Sequence, residues 1–317
     1  MDGLEPKNVA ETNPDVSVVL PSYNSKIWIR ECLQAIRKQR TQLTFEVILV
    51  DSSNDGTENL IKKEFPEVRL FHFQEQRMVG TARNIGVEKT KGEIVLFLDT
   101  DCIANPTWID QMYYAIRNLD ADGVGGSIEN GTSLSITGSV GYYLEFYRFL
   151  ASHGKPFTTQ FLMGGNSGFK KGVFKTNLYS DMSIGDDFTF SWQLTKQEKL
   201  LFFLPPASVT HMNKTGVRKV LQYQYKIGLG ACSYRDFVSP DVMRFLKTLP
   251  FLIFFVPLGI MGWIGFTILR RRGLWEFLKF VVLLPFLYIA NNFWAMGFFR
   301  GLRNQPFEFN TETKEYA

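Results

Sequence analysis

Four short apolar runs punctuate the first hundred residues: 16–20 (VSVVL), 45–50 (FEVILV), 68–73 (VRLFHF) and 94–98 (IVLFL). They are rich in β-branched and aromatic side chains and are bounded by turn formers, which predicts buried strands. Between them the apolar positions recur at helical spacing, with Trp28, Leu33 and Ile36 in one stretch, Leu60 and Ile61 in the next, and Ala82, Ile85 and Val87 in a third. Strand and helix alternating in this way predict right-handed βαβ units and a mostly parallel sheet. No fixed-period repeat and no low-complexity tract interrupts the pattern.

The pattern changes near the C-terminus. Residues 248–269 and 280–299 carry no charge, and each is long enough as a helix to cross a hydrocarbon core of about 30 Å. A membrane helical hairpin is expected, its helices separated by 270–279, which holds Arg270, Arg271, Arg272, Glu276 and Lys279. Pro250, Pro257 and Pro285 interrupt the runs and Asn291 and Asn292 fall in the second, so helices lying in the interface are the further option. Basic residues before the hairpin (Arg235, Arg244, Lys247) and after it (Arg300, Arg303, Lys314) favour both ends on the cytosolic side, although the three loop arginines count against that orientation.

Charge sharpens this division. The formal net charge is +4, yet residues 1–240 are balanced and the whole excess lies in 241–317, beside the apolar runs. A general polyanion binder is excluded and no nucleic-acid partner is expected; anionic membrane lipids are. With 45% hydrophobic and 15% aromatic residues the chain is no disordered protein. Its cysteines, Cys32, Cys102 and Cys232, lie too far apart for a disulfide framework, so a reducing compartment is the simpler reading. Residues 1–15 contain acids and prolines without an apolar run, a disordered tail and no signal peptide. The expected organisation is that tail, an α/β catalytic domain over 16–245, the hairpin over 246–300 and a tail over 301–317.

Ligands in such sheets bind outside the carboxyl ends of the strands. There the chain places Pro21-Ser22-Tyr23-Asn24, then Asp51-Ser52-Ser53-Asn54-Asp55-Gly56-Thr57, then Asp99-Thr100-Asp101. Asp55 before Gly56 is as well explained by a turn or helix cap as by a ligand. Asp99 and Asp101 are different, because carboxylates two residues apart repel unless a positive group lies between or beside them. Magnesium or manganese shared with a diphosphate meets that need. Gly164, Gly165 and Asn166 form a small-residue turn where backbone can approach a sugar closely, or an ordinary loop.

The segments PSYN (21–24), DSSNDGT (51–57), GTARNIG (80–86), FLDTDC (97–102), MGGNSGF (163–169) and GDDFTFSWQL (185–194) occur in one order and at regular intervals, and together they resemble the family 2 glycosyltransferases. The resemblance covers about residues 16–230 and implies a GT-A fold, a nucleotide-sugar donor, Mg2+ or Mn2+, and inversion at the anomeric carbon. It implies that Pro21 and Tyr23 lie against the nucleobase, that Asp51 and Asp55 belong to the nucleotide site, and that Arg83 at a helix start meets the diphosphate. Asp99 would face the ribose or a metal-bound water and Asp101 would ligate the metal, with His211 completing the metal site as in some relatives. His72 and His153 match no motif and read as structural.

The acceptor half rests on Asp186 and Asp187, which head an apparent helix. Acids in a first helical turn can simply favour the dipole. The family pattern is an acidic residue followed by aspartate, and Asp187 matches the second, general-base position. Neighbouring carboxylates raise one another's pKa, which suits proton removal from a sugar hydroxyl near neutral pH. Asp186 stands where glutamate is commoner and Gln193 where arginine is frequent, departures that touch the acceptor contacts, for which Gly165 and Asn166 are further candidates. The expected protein is an integral membrane, metal-dependent inverting glycosyltransferase with its catalytic domain on the cytosolic face and a hydroxyl of a lipid-linked or membrane-proximal glycan as acceptor. A processive polysaccharide synthase is the alternative, against which the segment Gln222-Tyr-Gln-Tyr-Lys226 lacks the arginine and tryptophan such enzymes carry. A noncatalytic scaffold of the same fold is the other.

Overall fold

The computed structural model describes residues 13–150, 154–182 and 184–303, with 236 and 237 by backbone alone. The expected tails lie outside the described residues except for 13–15 and 301–303, and so does His153.

The four apolar runs form β1 (Val16–Ser22), β2 (Phe45–Asp51), β3 (Arg69–His72) and β4 (Ile94–Leu98), with α1 (Ile29–Arg37), α2 (Thr57–Glu64) and α3 (Val79–Glu88) between them. Every residue of β1 and β4 is buried, as continuous apolar runs in a sheet covered on both faces must be. These strands pair in parallel in the order β3-β2-β1-β4. The chain thus runs outward from β1 to β2 and β3 and returns to the other side of β1. The crevice between the carboxyl ends of β1 and β4 is the topological switch point, where a ligand site is expected in a doubly wound sheet.

Beyond β4 the chain adds β5 (Cys102–Ala104), α4 (Trp108–Asn118), β6 (Gly123–Asn130), α5 (Ile136–Phe146), β7 (Phe157–Thr158), β8 (Asn166–Lys170), α6 (Asp186–Lys196) and β9 (Leu201–His211). The sheet continues β4-β8-β6-β9-β5, with β7 also on β9. β8 is antiparallel to both β4 and β6, whereas β6 and β9 are parallel. The result is the mixed α/β sheet of a GT-A fold. Pairing of β5 with β9 sets Cys102 opposite His211, which carries the end of β9 to the DTD turn.

Four helices complete the described residues: α7 (Val217–Val238), α8 (Pro240–Thr248), α9 (Val256–Arg272, entered through a 3-10 turn over Pro250–Phe255) and α10 (Leu274–Arg303). The spans Pro250–Arg272 and Leu274–Arg303 are each long and apolar enough to cross a membrane. The expected ten-residue loop between them shrinks to a turn at Gly273, because Arg270–272 close α9 and Glu276 and Lys279 open α10. Charged residues end an apolar run without ending a helix. The expected domain limit at residue 245 likewise falls inside α8.

The last helix is bound to the domain. Ile264, Ile268, Phe280, Leu287 and Ala290 join the main core with Tyr142, Tyr143 and Phe146 of α5. Towards its C-terminus α10 crosses α7 at backbone contact distance: a Cβ on Gly228 would stand 1.9 Å from the Trp294 carbonyl oxygen, and one on Gly297 2.0 Å from that of Tyr225. Neither neighbour is a side chain that can swing aside. Gly228→Val is therefore expected to destabilise the protein by about 3 kcal/mol or more, beyond the usual cost of overpacking, and a depressed melting temperature against an exposed control such as Gly172→Ala checks this.

Candidate active site

β1, β4, β8 and α6 direct their ends at one cleft of about 450 Å³. Pro21 and Tyr23 line it from β1, Asp99 and Asp101 from the turn after β4, Gly165 from the start of β8, and Asp186 and Asp187 from the N-terminus of α6. Tyr23 is 45% exposed, available to a flat partner.

The turn after β4 is built by its own backbone, with the Cys102 N–H donating to the Asp99 carbonyl at 3.0 Å. Asp101 then faces His211, with Oδ1 3.4 Å from Nε2. The His211 Nδ1 lies 2.9 Å from Asn213 Oδ1, and since an amide oxygen can only accept, Nδ1 carries the proton. The Asp101 carboxylate and the His211 Nε2 consequently face each other. Asp101, Cys102 and His211 offer donor atoms all within 4.8 Å of one another. The oriented imidazole, with its far nitrogen hydrogen-bonded, is the arrangement of a metal-binding histidine, so the site fits a divalent cation and suits manganese better than magnesium.

Arg83 holds a different cluster together. Its guanidinium donates to Asp99 Oδ1 at 3.0 Å and to the Asp186 carboxylate, and it packs over the Tyr179 ring with 5.3 Å to the centroid. It is 3% exposed. A Cβ on Gly164 would lie 2.5 Å from its central carbon, so this position must be bare for the guanidinium to reach both acids. Thus the arginine expected at the diphosphate touches the cleft wall with its charge shared between two carboxylates.

Of the two acids at the start of α6, Asp187 is the more exposed to the cleft that both line. Its Oδ2 accepts from the Gly164 N–H at 3.1 Å and its Oδ1 from the Phe188 N–H at 2.8 Å. Burial pushes its carboxyl above the ordinary range, opposed by Arg83 and by those backbone donors. Burial also raises Asp186, again against Arg83.

Other expected site residues sit elsewhere. Asp51 is fully buried, and its oxygens accept from the hydroxyls of Ser22 (2.6 Å) and Ser53 and pair with His72 Nδ1 (2.8 Å). It ties the end of β1 to the loop after β2 and to β3, and His72 is one of its partners. Asp55 accepts from the N–H and hydroxyl of Thr57 (3.1 and 2.6 Å) and from the Lys26 N–H (3.2 Å), which is turn chemistry. Asn166 points into the core: its amide donates to the carbonyls of Ser127 and Ala207 and accepts from the Trp108 indole. Only Gly165 of that pair lines the cleft.

Sequence reasoning passed over two wall residues. Glu145 of α5 accepts from the Gln224 amide of α7 at 3.2 Å, and burial pushes its carboxyl up to about 7, against Lys214 and His211. Its one signal was being the only charge in the apolar stretch 136–147. The cleft continues past these residues to Ile260, Asn291 and Trp294 on α9 and α10.

A switch-point cleft with a carboxylate–histidine pair on one wall and paired acids at a helix start on the other defines a GT-A-type site. The family model for glycosyl transferase family 2 matches residues 17–178, and the chain belongs to that family. It is 33% identical over 126 residues to the glycosyltransferase AglE of Haloferax volcanii, covering 38% of this chain and 41% of that one. It is 33% identical over 119 residues to the glycosyltransferase GlyG of Streptococcus pneumoniae, covering 36% and 39%. The chain thus spans about two fifths of the length of these curated relatives. Among solved structures, S. aureus TarS 1–349 in complex with UDP-GlcNAc shares the fold with a TM-score of 0.54 at 15% identity, over 91% of this chain and 90% of that one. GalNAc-T7 with UDP, GalNAc and Mn2+ gives 0.51 at 17%, over 72% and 50%.

Proposed function

We propose that the protein is an inverting glycosyltransferase that moves a sugar from a nucleoside diphosphate to a hydroxyl of a lipid-linked or membrane-proximal glycan. The observation that carries this reading is the placement of Asp101 with His211 and of Asp187 in the same cleft at the switch point. Family membership supports it, and the complexes of TarS with UDP-GlcNAc and of GalNAc-T7 with UDP, GalNAc and Mn2+ favour a uridine diphosphate donor.

Asp101 and His211 would hold Mg2+ or Mn2+, which supplies positive charge for the departing diphosphate. Tyr23 and Pro21 receive the base, inside loops fixed by Asp51. Arg83 keeps Asp186 and Asp99 in place, so that Asp187 presents its carboxylate to the acceptor and removes the hydroxyl proton as the oxygen attacks the anomeric carbon from the face opposite the leaving group. Inversion follows. Glu145 and Gln224 offer an acceptor and a donor to further hydroxyls along the wall. Extension of the cleft to Trp294 and Ile260 supports an acceptor that arrives from the hairpin side, and the balanced charge of residues 1–240 accords with a domain in the cytosol.

The test is a thermal-shift series with UDP, GDP, ADP and CMP, each with and without Mn2+, because a ligand of the folded state raises its apparent stability. UDP is expected to raise the melting temperature only when Mn2+ is present, and UDP-sugars to be hydrolysed slowly under the same condition. No metal-dependent shift with any nucleotide would sink the donor reading.

A further inference from the structure

We infer that the α9–α10 hairpin lies in the plane of one membrane leaflet as a monotopic anchor, its outer face in an anionic lipid surface, and does not cross the bilayer. The inference rests on the membrane association proposed above and concerns the side on which the hairpin tip lies.

α10 has 30 residues and so measures about 45 Å. It is held by the catalytic domain at both ends. At the tip, Arg272 pairs with Glu129 of β6 at 2.9 Å, Arg271 donates to the Arg148 carbonyl at 2.7 Å, and the Tyr143 hydroxyl of α5 donates to Glu276 at 3.2 Å. At the other end α10 crosses α7 through Gly228 and Gly297. Between these points Phe280, Leu287, Ala290, Trp294 and Phe298 are buried at helical spacing along one face. A hairpin that spanned the bilayer would carry its tip roughly 30 Å from the domain, to the opposite surface. The ion pair with Glu129 and the bond to Arg148 could not then exist.

The opposite face is unpartnered and apolar. Leu258, Trp263 and Phe266 on α9 and Trp275, Val282 and Ile289 on α10 are each more than half exposed. Only 28% and 22% of the two apolar windows are buried. Charge selects lipid as the occupant. Arg270 and Lys279 stand at one end of this face, and at the other Arg300 and Arg303 rim a groove with Tyr225 and Phe299, so basic side chains border the apolar surface where acidic head groups lie. The orientation also removes a conflict within the sequence, because the loop arginines and the flanking basic residues now face the same leaflet.

The test is sidedness. Native cysteines are all buried, so single exposed cysteines can be read against a quiet background. Lys63→Cys on α2, Asp241→Cys on α8 and Arg270→Cys at the tip would each be made in the full chain and challenged with a membrane-impermeant maleimide in intact spheroplasts and in inverted vesicles. All three should label from one side only, the same side, with melting temperatures near wild type. Labelling of Arg270→Cys from the side opposite Lys63→Cys, or only after detergent, would overturn the inference. Recovery of the chain in the soluble fraction before labelling would overturn membrane association itself, and the inference with it.

Discussion

Asp101→Asn should lose transfer by about 10²–10³-fold or more, the scale on which removing one preorganised electrostatic group at a developing charge is felt. The structure adds a prediction that separates a metal site from a structural pair. Asp101 Oδ1 lies 3.4 Å from Nε2 of His211. Asparagine has the shape of aspartate without its charge, so the variant is expected to keep a cooperative melt in chelator, while the increment that Mn2+ and UDP give the wild type disappears. Thermal unfolding in chelator and in Mn2+ plus UDP measures both effects. A variant that keeps its metal-dependent increment, or that turns over at the wild-type rate, would remove Asp101 from the metal site.

The parallel half of the sheet was legible because β1, β4 and most of β2 are continuous apolar runs that end in turn residues, as strands buried on both faces are. The second half was not. β6 reads GVGGSIEN, a loop by composition, yet its glycines are what let it lie between β8 and β9: a Cβ on Gly123 would meet the Phe169 ring at 2.5 Å. β8 opens with NSG, polar to any pattern count, and these three residues are buried, with the Asn166 amide satisfied on three core partners. Periodicity finds strands that bury apolar surface; it is blind to strands that bury hydrogen bonds.

The same limit governs the site. Asp99, Asp101, Asp186, Asp187 and Gly165 were legible because acids clustered at element ends have few structural uses, and all of them reach the cleft. Asp51, Asp55 and Asn166 carry the same residue types at the same kind of position, but their oxygens are spent on Ser22 and Ser53, on Thr57, and on Trp108. Only the partner distinguishes a ligand from a brace, and partners come from remote elements. Glu145 meets Gln224 across a sequence separation of 79 residues, so nothing local announces it. The hairpin shows the reverse case, in which the apolar runs mark helices long and apolar enough to cross a membrane but leave open how those helices lie.

Asp187→Asn is the second large effect, a loss of about 10²–10⁴-fold in transfer, the usual contribution of a positioned general base. Asparagine can keep one of the two backbone bonds to Gly164 and Phe188 but must turn its amide nitrogen towards the other N–H, so a cost of about 1–2 kcal/mol in stability should accompany an intact fold. Nucleotide and Mn2+ binding, proposed for the opposite wall, should stay at wild-type affinity; a nucleotide affinity that fell with the transfer rate would put Asp187 in the donor site. The pH profile gives the sharper check. The base works only unprotonated, and burial holds its pKa above the ordinary carboxylate range, so wild-type kcat/KM should rise with pH along an acid limb lying above about pH 4. Asp186→Asn removes a neighbouring negative charge and leaves Arg83, still paired with Asp99, with one fewer competitor for its field at Asp187. Both changes favour ionised Asp187, so this variant's acid limb should move to lower pH, whereas Asp187→Asn should have no such limb. An acid limb that stays where it is in both variants would belong to another group, and Asp187 would then not be the base.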